Sequence, residues 1–169
     1  MASLRSRSKR ERAAKRGAAA GPYVLEQQVG FLLRCAHQRA SEMFKAVMGR
    51  FGVTPRQFAA LAKLDDLGSV SQNQLGRLTA MDPATISGVI DRLTARGLVQ
   101  QSSDPRDGRL LALALTAEGE QAISAMKAVA AEVSLRTLEP LSETEVSAFL
   151  KALCKIGASS CMPPQSSRN

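Results

Sequence analysis

The sequence predicts a mainly α-helical fold with a small β-hairpin wing, in the α+β class. Apolar residues recur at three- and four-residue steps in six segments, which is the spacing of amphipathic helices. Two short segments, at 98–101 and 110–115, are interpreted as paired strands on either side of the turn-rich segment Asp104–Gly108, which is typical of a hairpin. Two short helices directly precede that hairpin. Together these observations predict a winged helix-turn-helix joined to a helical dimerisation region.

The first two helices are predicted from apolar periodicity and from their starting residues. Pro22 suits the first turn of a helix, and the apolar stripe that follows it continues to about Gly49. Thr54-Pro55 is an N-cap followed by proline at the first helical position, and this second helix should end near Gly68.

Capping residues also predict the remaining four helices. Ser71 should cap the third helix, and Asp82-Pro83 should cap the fourth, which Gly97 would end. Thr116 precedes the fifth helix. Ser142–Glu145 has the capping-box pattern and should open the sixth.

These elements give one domain between two polar tails. We expect a disordered basic tail at 1–21, one domain at 22–158 and a second disordered tail at 159–169. Within the domain, the winged unit should span 54–116, and the dimerisation helices should span 22–49 and 117–158.

Charge and composition restrict the class of protein. The net charge is +8, but residues 1–20 hold seven Lys/Arg and one Glu, so most of that charge lies in the first tail. A solvated tail is the simpler interpretation, and sequence-independent contacts to phosphate are the alternative. With no long apolar run, no secretory signal and only three cysteines, the sequence predicts a cytoplasmic protein that does not enter the membrane. The single histidine and the absence of phosphate-loop or nucleophile motifs argue against an enzyme, and no metal or cofactor is expected.

The side chains predicted on the outer face of the fourth helix favour binding to double-stranded DNA. They are small and several are polar, as a helix entering a major groove about 12 Å wide requires: Pro83, Ala84, Thr85, Ser87 and Gly88. Threonine and serine can bond to base edges or phosphates, and alanine can contact a thymine methyl group. The alternatives are that the small residues mark helix packing, or that the winged unit binds a protein instead of DNA.

Neighbouring segments add further candidate DNA contacts. The third helix begins with short polar residues whose backbone N–H groups favour phosphate: Ser71, Gln72, Asn73 and Gln74. Arg106 and Arg109 at the hairpin tip are long enough to reach a minor groove or a flanking phosphate. Arg92 on the fourth helix can contact phosphate; alternatively, its neighbour Asp91 can pair with Arg109 and hold the hairpin.

Three motifs resemble those of the MarR family of regulators, and the resemblance covers roughly Tyr23 to Gly157. They are Asp91-Arg-Leu-Thr-Ala-Arg-Gly-Leu-Val99, Asp104-Pro-Arg-Asp-Gly-Arg109 and Leu115-Thr-Ala-Glu-Gly119. The resemblance implies a homodimer formed by the first, fifth and sixth helices, which reads an inverted-repeat operator and binds its effector between those helices and the winged unit. It also implies that Arg109 is the wing arginine and Asp107 its acidic neighbour. Members commonly carry an arginine at the position of Gly88, so base reading here should depend more on Thr85, Ser87 and the wing.

Some members of the family sense peroxides through a cysteine in the first helix. The alternative function is therefore a thiol-based redox-sensing regulator that uses Cys35. In the peroxide-sensing subgroup, which resembles this chain over Leu25–Leu33, the reactive cysteine falls at Gly30. Cys35 is five residues further, about 140° round the helix. We therefore expect Cys35 to be a small buried filler, Cys154 a packing residue and Cys161 part of the tail.

Polar residues of the first helix suggest the effector. Arg34, His37 and Gln38 share one face of the helix, and the first two can hold a carboxylate, while Phe58 of the second helix can cover an aromatic ring. The alternative is an ordinary solvated polar stripe. The family's usual effectors are small phenolic or aromatic acids, and the segment 25–39 resembles regulators of aromatic and N-heterocyclic acid breakdown. The sequence thus predicts a repressor that a small aromatic carboxylate releases from its operator.

Overall fold

A computed structural model describes residues 22–103 and 111–161 of the chain. The chain divides into two compact units, Met1–Gln38 and Arg39–Asn169, and each is described by itself. No helix in the described ranges is both long and apolar enough to cross a membrane.

The first unit begins with a short 3₁₀ turn and not with the long helix predicted from Pro22. The turn spans Leu25–Gln27, and the helix α1 runs over Val29–Met48, so its predicted start was wrong by seven residues. Gln28 separates the two with an extended backbone (φ −80°, ψ 132°), and its side chain donates to the carbonyl of Val24 at 2.9 Å. This local bond stabilises a turn where apolar periodicity alone predicts a continuous helix.

Four helices of the second unit begin at residues predicted from their capping chemistry. They are α2 (Pro55–Leu67), α3 (Gln72–Leu78), α4 (Pro83–Ala95) and α5 (Ala117–Leu138). In each, the hydroxyl or carboxylate of the preceding residue accepts a backbone N–H in the first turn, which satisfies one of the helix's free donors. The caps are Thr54, Ser71, Asp82 and Thr116.

The sixth helix, α6, spans Glu143–Cys161. At its start, the Glu145 side chain bonds back to Ser142, as the capping-box pattern predicts. The Glu145 carboxylate accepts hydrogen bonds from the backbone N–H of Ser142, at 2.9 Å, and from the Ser142 hydroxyl, at 2.7 Å. These two bonds lower the pKa of Glu145.

The hairpin belongs to a three-stranded antiparallel sheet. Its strands β2 (Val99–Ser103) and β3 (Leu111–Leu115) were predicted, but β1 (Ser69–Ser71) was not, because three residues are too few to show a strand period. The order is β1-β3-β2, and Val70 and Gln101 both pair with Leu113. The base of the hairpin is therefore held on its inner edge by the strand that leads into α3.

A cluster of buried apolar residues joins the sheet to α2, α3, α4, α5 and the end of α1. Its largest fully buried side chains include Leu61, Leu75, Ile90, Leu113 and Met126. Gly119 in the first turn of α5 lies so close to Leu98 that a β-carbon there would collide with the Leu98 carbonyl oxygen. The hairpin base and α5 are thus packed without space between them.

Candidate DNA interface

The α3–turn–α4 unit is closely packed, because the glycine of α3 lies directly against a side chain of α4 and the backbone of the turn. A β-carbon on Gly76 would lie 3.2 Å from both Cγ2 of Ile86 and the carbonyl oxygen of Met81. The Gly76 carbonyl also accepts the N–H of Met81 at 2.9 Å. Between the helices, Ala80 adopts a left-handed backbone (φ 52°), which is uncommon for a residue with a β-carbon. Packing therefore determines the angle at which α4 is presented.

The two faces of α4 divide as the sequence predicts. The inner face is buried: Ile86, Val89, Ile90 and Leu93. On the outer face Pro83 and Ala84 are exposed, and Thr85, Ser87 and Gly88 are half-buried. On α3, Asn73 and Gln74 are exposed, and Ser71 and Gln72 are half-buried. The outer face of α4 is therefore small enough to enter a groove, although which of these side chains contact DNA stays a prediction.

Asp82 and Thr85 are joined by two hydrogen bonds at the start of α4. The backbone N–H of Thr85 donates to Oδ1 of Asp82 at 2.9 Å, and the Thr85 hydroxyl donates to Oδ2 at 2.6 Å. The hydroxyl bond first, and the backbone bond second, lower the pKa of Asp82. The carboxylate is therefore ionised at neutral pH and holds Thr85 in one orientation.

Arg96, at the other end of α4, is a positioning residue that sequence reasoning missed. Its guanidinium donates to the carbonyl oxygens of Gly52, at 2.8 Å, and Phe51, at 3.0 Å. These carbonyls belong to the 3₁₀ turn Gly49–Phe51 and the glycine that ends it. A basic residue at a helix C-terminus was the available signal, but its partners lie more than forty residues away in the chain.

The predicted wing contacts Arg106, Asp107 and Arg109 lie outside the described residues, as does the pairing of Asp91 with Arg109. The described part of the wing is its base, where the Thr116 hydroxyl donates to the Gly97 carbonyl at 2.6 Å.

The predicted effector residues divide between the two units. In the first unit Arg34, His37 and Gln38 are exposed on α1, and the Arg34 guanidinium lies 5.2 Å from the centre of the Phe31 ring. In the second unit Phe58 is half-buried and meets Phe44 edge to face, with ring centres 5.9 Å apart. A common site for these four residues stays a prediction.

Cys35 and Cys154 are exposed free cysteines, so the expectation that they fill packed positions was wrong. The reason for Cys35 is that no described residue before Phe44 is buried, so this part of α1 lacks a core in which a thiol could be enclosed. The side chain of Cys161 lies outside the described residues.

Comparison with known proteins identifies relatives along most of the chain. The profile of the MarR family matches residues 51–110. The transcriptional repressor NicR of Pseudomonas putida is 40% identical over 135 residues, which cover 80% of this chain and 85% of NicR. The solved structure of a probable transcriptional regulator from Pseudomonas aeruginosa is 46% identical (TM-score 0.75) and covers 79% of this chain and 99% of its own. The solved structure of BpsR from Bordetella bronchiseptica, whose DNA binding is regulated by 6-hydroxynicotinic acid, is 36% identical (TM-score 0.77). The match covers 81% of this chain and 98% of the BpsR chain.

Proposed function

Because this DNA-binding transcriptional regulator belongs to the MarR family, we propose that it represses transcription as a homodimer on an inverted-repeat operator and leaves that DNA when a small aromatic acid binds. The protein would act in the cytoplasm, where its operator lies. The proposal assigns the major-groove contacts to α4, the flanking phosphate contacts to the start of α3, and the outer contacts to Arg106 and Arg109 of the wing.

The outer face of α4 is the observation that carries the DNA-binding part. Helices that merely cover a core usually present long charged side chains to water. On α4 the first six positions after the cap carry no long charged side chain, while the inner face is fully committed to the core. A helix of this shape fits a major groove, and its serine and threonine hydroxyls can bond to base edges.

Exposed apolar side chains support the homodimer. In the first unit Val29 is 67% exposed and Leu32 is 52% exposed. In the second unit Leu135, Leu150 and Ile156 are 72%, 46% and 63% exposed. Large exposed apolar side chains, on α1 in the first unit and on α5 and α6 in the second, are typical of surfaces that a partner covers. A second copy of the chain is the occupant that the family predicts.

The effector part rests on the relatives and on the chemistry of α1. The DNA binding of BpsR is regulated by an aromatic carboxylic acid. Arg34 offers a guanidinium for a carboxylate, and the half-buried Phe58 offers an aromatic edge. We propose that Arg34, His37, Gln38 and Phe58 contact the effector, and 6-hydroxynicotinate is the first probe to use.

The test uses the full chain. Sedimentation should show a dimer at micromolar concentration, and selection from a random duplex pool should return an inverted repeat. 6-Hydroxynicotinate should release that duplex, whereas succinate, a carboxylate without a ring, should not. A stable monomer, selection of no sequence, or release by both acids would each contradict the corresponding part of the proposal.

A further inference from the structure

Gly88 is a glycine inside α4 that the packing of the described residues does not require. Glycine inside a helix destabilises it by about 1 kcal/mol relative to alanine, so its presence calls for a reason. At Gly76 and Gly119 the reason is contact, since a β-carbon would press on Ile86 or strike the Leu98 carbonyl. At Gly88, apart from its two chain neighbours and the helix's own backbone, the sole described atom within 4 Å of a β-carbon would be Nη2 of Arg92, at 3.8 Å.

Arg92 lies one turn after Gly88 and extends its side chain back over it. Residues four apart share a helix face, so Ala84, Gly88 and Arg92 form a line along α4. Arg92 is exposed, and no carboxylate in 22–103 or 111–161 forms an ion pair with it. The guanidinium therefore lies along the small-residue face of the helix with its donors available to a ligand.

We propose that Gly88 and Arg92 form one base-reading unit, in which the glycine leaves room for the guanidinium to lie along α4 and bind a guanine in the major groove. The inference rests on the proposed function, which puts α4 in that groove. Guanine presents O6 and N7 there, two acceptors that match the planar fork of a guanidinium. A contact from Arg92 to phosphate would add affinity without sequence preference. Arg92 thus determines specificity at one G·C pair in each half-site.

The first arm of the test compares Arg92→Gln with Lys155→Gln, which removes the same charge from exposed α6. The probe is the duplex selected by the wild-type chain, together with its single-base-pair variants and 7-deazaguanine substitutions, which remove N7. Arg92→Gln should bind the selected duplex between about fivefold and about 150-fold more weakly, the range of a good arginine–guanine contact. One 7-deazaguanine position should weaken the wild type and Lys155→Gln, but not Arg92→Gln.

The second arm tests the role of the glycine. Gly88→Ala puts a methyl group 3.8 Å from Nη2 of Arg92, so it should weaken the base preference less than a larger side chain does, while raising the melting temperature. Gly88→Leu fills the space over which the guanidinium lies, and should lose the preference at the same base pair. Its effect should nearly vanish in the Arg92→Gln background, since residues acting together are not additive. Equal losses in both backgrounds would mean that Gly88 makes room for DNA and would overturn the paired unit.

The salt dependence distinguishes the remaining outcomes. If Arg92→Gln weakens all duplexes alike, and the slope of log K against log salt shrinks by about 0.9, Arg92 contacts phosphate. That result would overturn the base-reading inference and leave the proposed regulator intact. A wild-type chain that selects no sequence would overturn the proposed function, and this inference with it.

Discussion

The hydroxyl of Thr85 donates its one proton to the carboxylate of Asp82 across 2.6 Å. With that proton engaged, the hydroxyl can only accept a hydrogen bond from DNA. Phosphate oxygens are acceptors and cannot supply one, whereas the amino groups of adenine and cytosine in the major groove can. We therefore expect that Thr85, if it contacts DNA as proposed, accepts a hydrogen bond from a base and does not bind a phosphate.

Replacing Thr85 should separate this hydroxyl from the shape of the side chain. Thr85→Val keeps the shape and should lower affinity for the selected duplex by roughly twofold to tenfold, the range of one neutral hydrogen bond. Thr85→Ser should bind nearly as well as the wild type. Fluorescence anisotropy measures both, and equal affinity of Thr85→Val and the wild type would show that the hydroxyl is not used.

The contact of Gly119 with Leu98 predicts a loss of stability. Gly119→Ala places a methyl group against the Leu98 carbonyl, and overpacking of this kind lowers the free energy of unfolding by about 1–3 kcal/mol. Gly157→Ala on α6 is the control, because a β-carbon there meets nothing within 4 Å in the described residues. In urea, Gly119→Ala should unfold at a lower concentration than the wild type, and Gly157→Ala should not. Equal unfolding midpoints for Gly119→Ala and the wild type would contradict the close contact.

An ion cluster between α2 and α5 gives a pH-dependent prediction. Lys127 lies 2.6 Å from Asp65 and 2.9 Å from Asp66, and its hydrogen bond is the largest cause of the lowered pKa of Asp66. A carboxyl with a lowered folded pKa stabilises the protein above its unfolded value, 3.8, and loses that contribution as the pH falls through the folded pKa. The pKa of Lys127 is raised, so its contribution persists below 10.5 and is lost at higher pH.

Lys127→Met should therefore unfold at lower urea concentration than the wild type near pH 7. The difference should shrink well below pH 3.8, where Asp66 is protonated in both folded and unfolded chains. Urea titrations of both proteins at the two pH values measure this. A difference that is constant with pH would assign the effect to lost packing of the lysine stem.

The effector site is tested by Arg34→Ala combined with His37→Ala. The double variant should bind the selected duplex about as well as the wild type but should no longer be released by 6-hydroxynicotinate. A tenfold release requires about 1.4 kcal/mol of coupling, and that coupling should disappear. Release of the variant at the wild-type ligand concentration would place the effector elsewhere.

Features encoded within a few residues could be predicted from the sequence, and features that depend on distant residues could not. The caps Thr54, Ser71, Asp82 and Thr116 act on the next three residues, and the structure confirms all four. Arg96, by contrast, bonds to carbonyls far away in the chain, which no local pattern indicates.

The exposure of Cys35 shows a second limit of sequence reasoning. Apolar periodicity along α1 indicates that one face will be covered, but it does not say whether the cover comes from the same chain. The small outer face of α4 could be predicted, because the apolar residues of its inner face recur at helical spacing and the small residues lie between them. The position of Arg92 over Gly88 could not, because it depends on a side-chain conformation.

The two bonds from Arg96 make the C-terminal end of α4 a pivot. Both bonds hold this end to the turn that follows α1, so a tilt of α4 about it would leave this end in place and move the opposite end. A helix of 13 residues is about 20 Å long, so a tilt of about 10° displaces its far end by about 3 Å. Asp82 and Thr85 lie at that far end and would travel furthest, whereas Gly88 and Arg92 lie nearer the pivot and would travel less. With α4 in a major groove as proposed, a slight rotation would therefore separate Thr85 from its base before it separated Arg92.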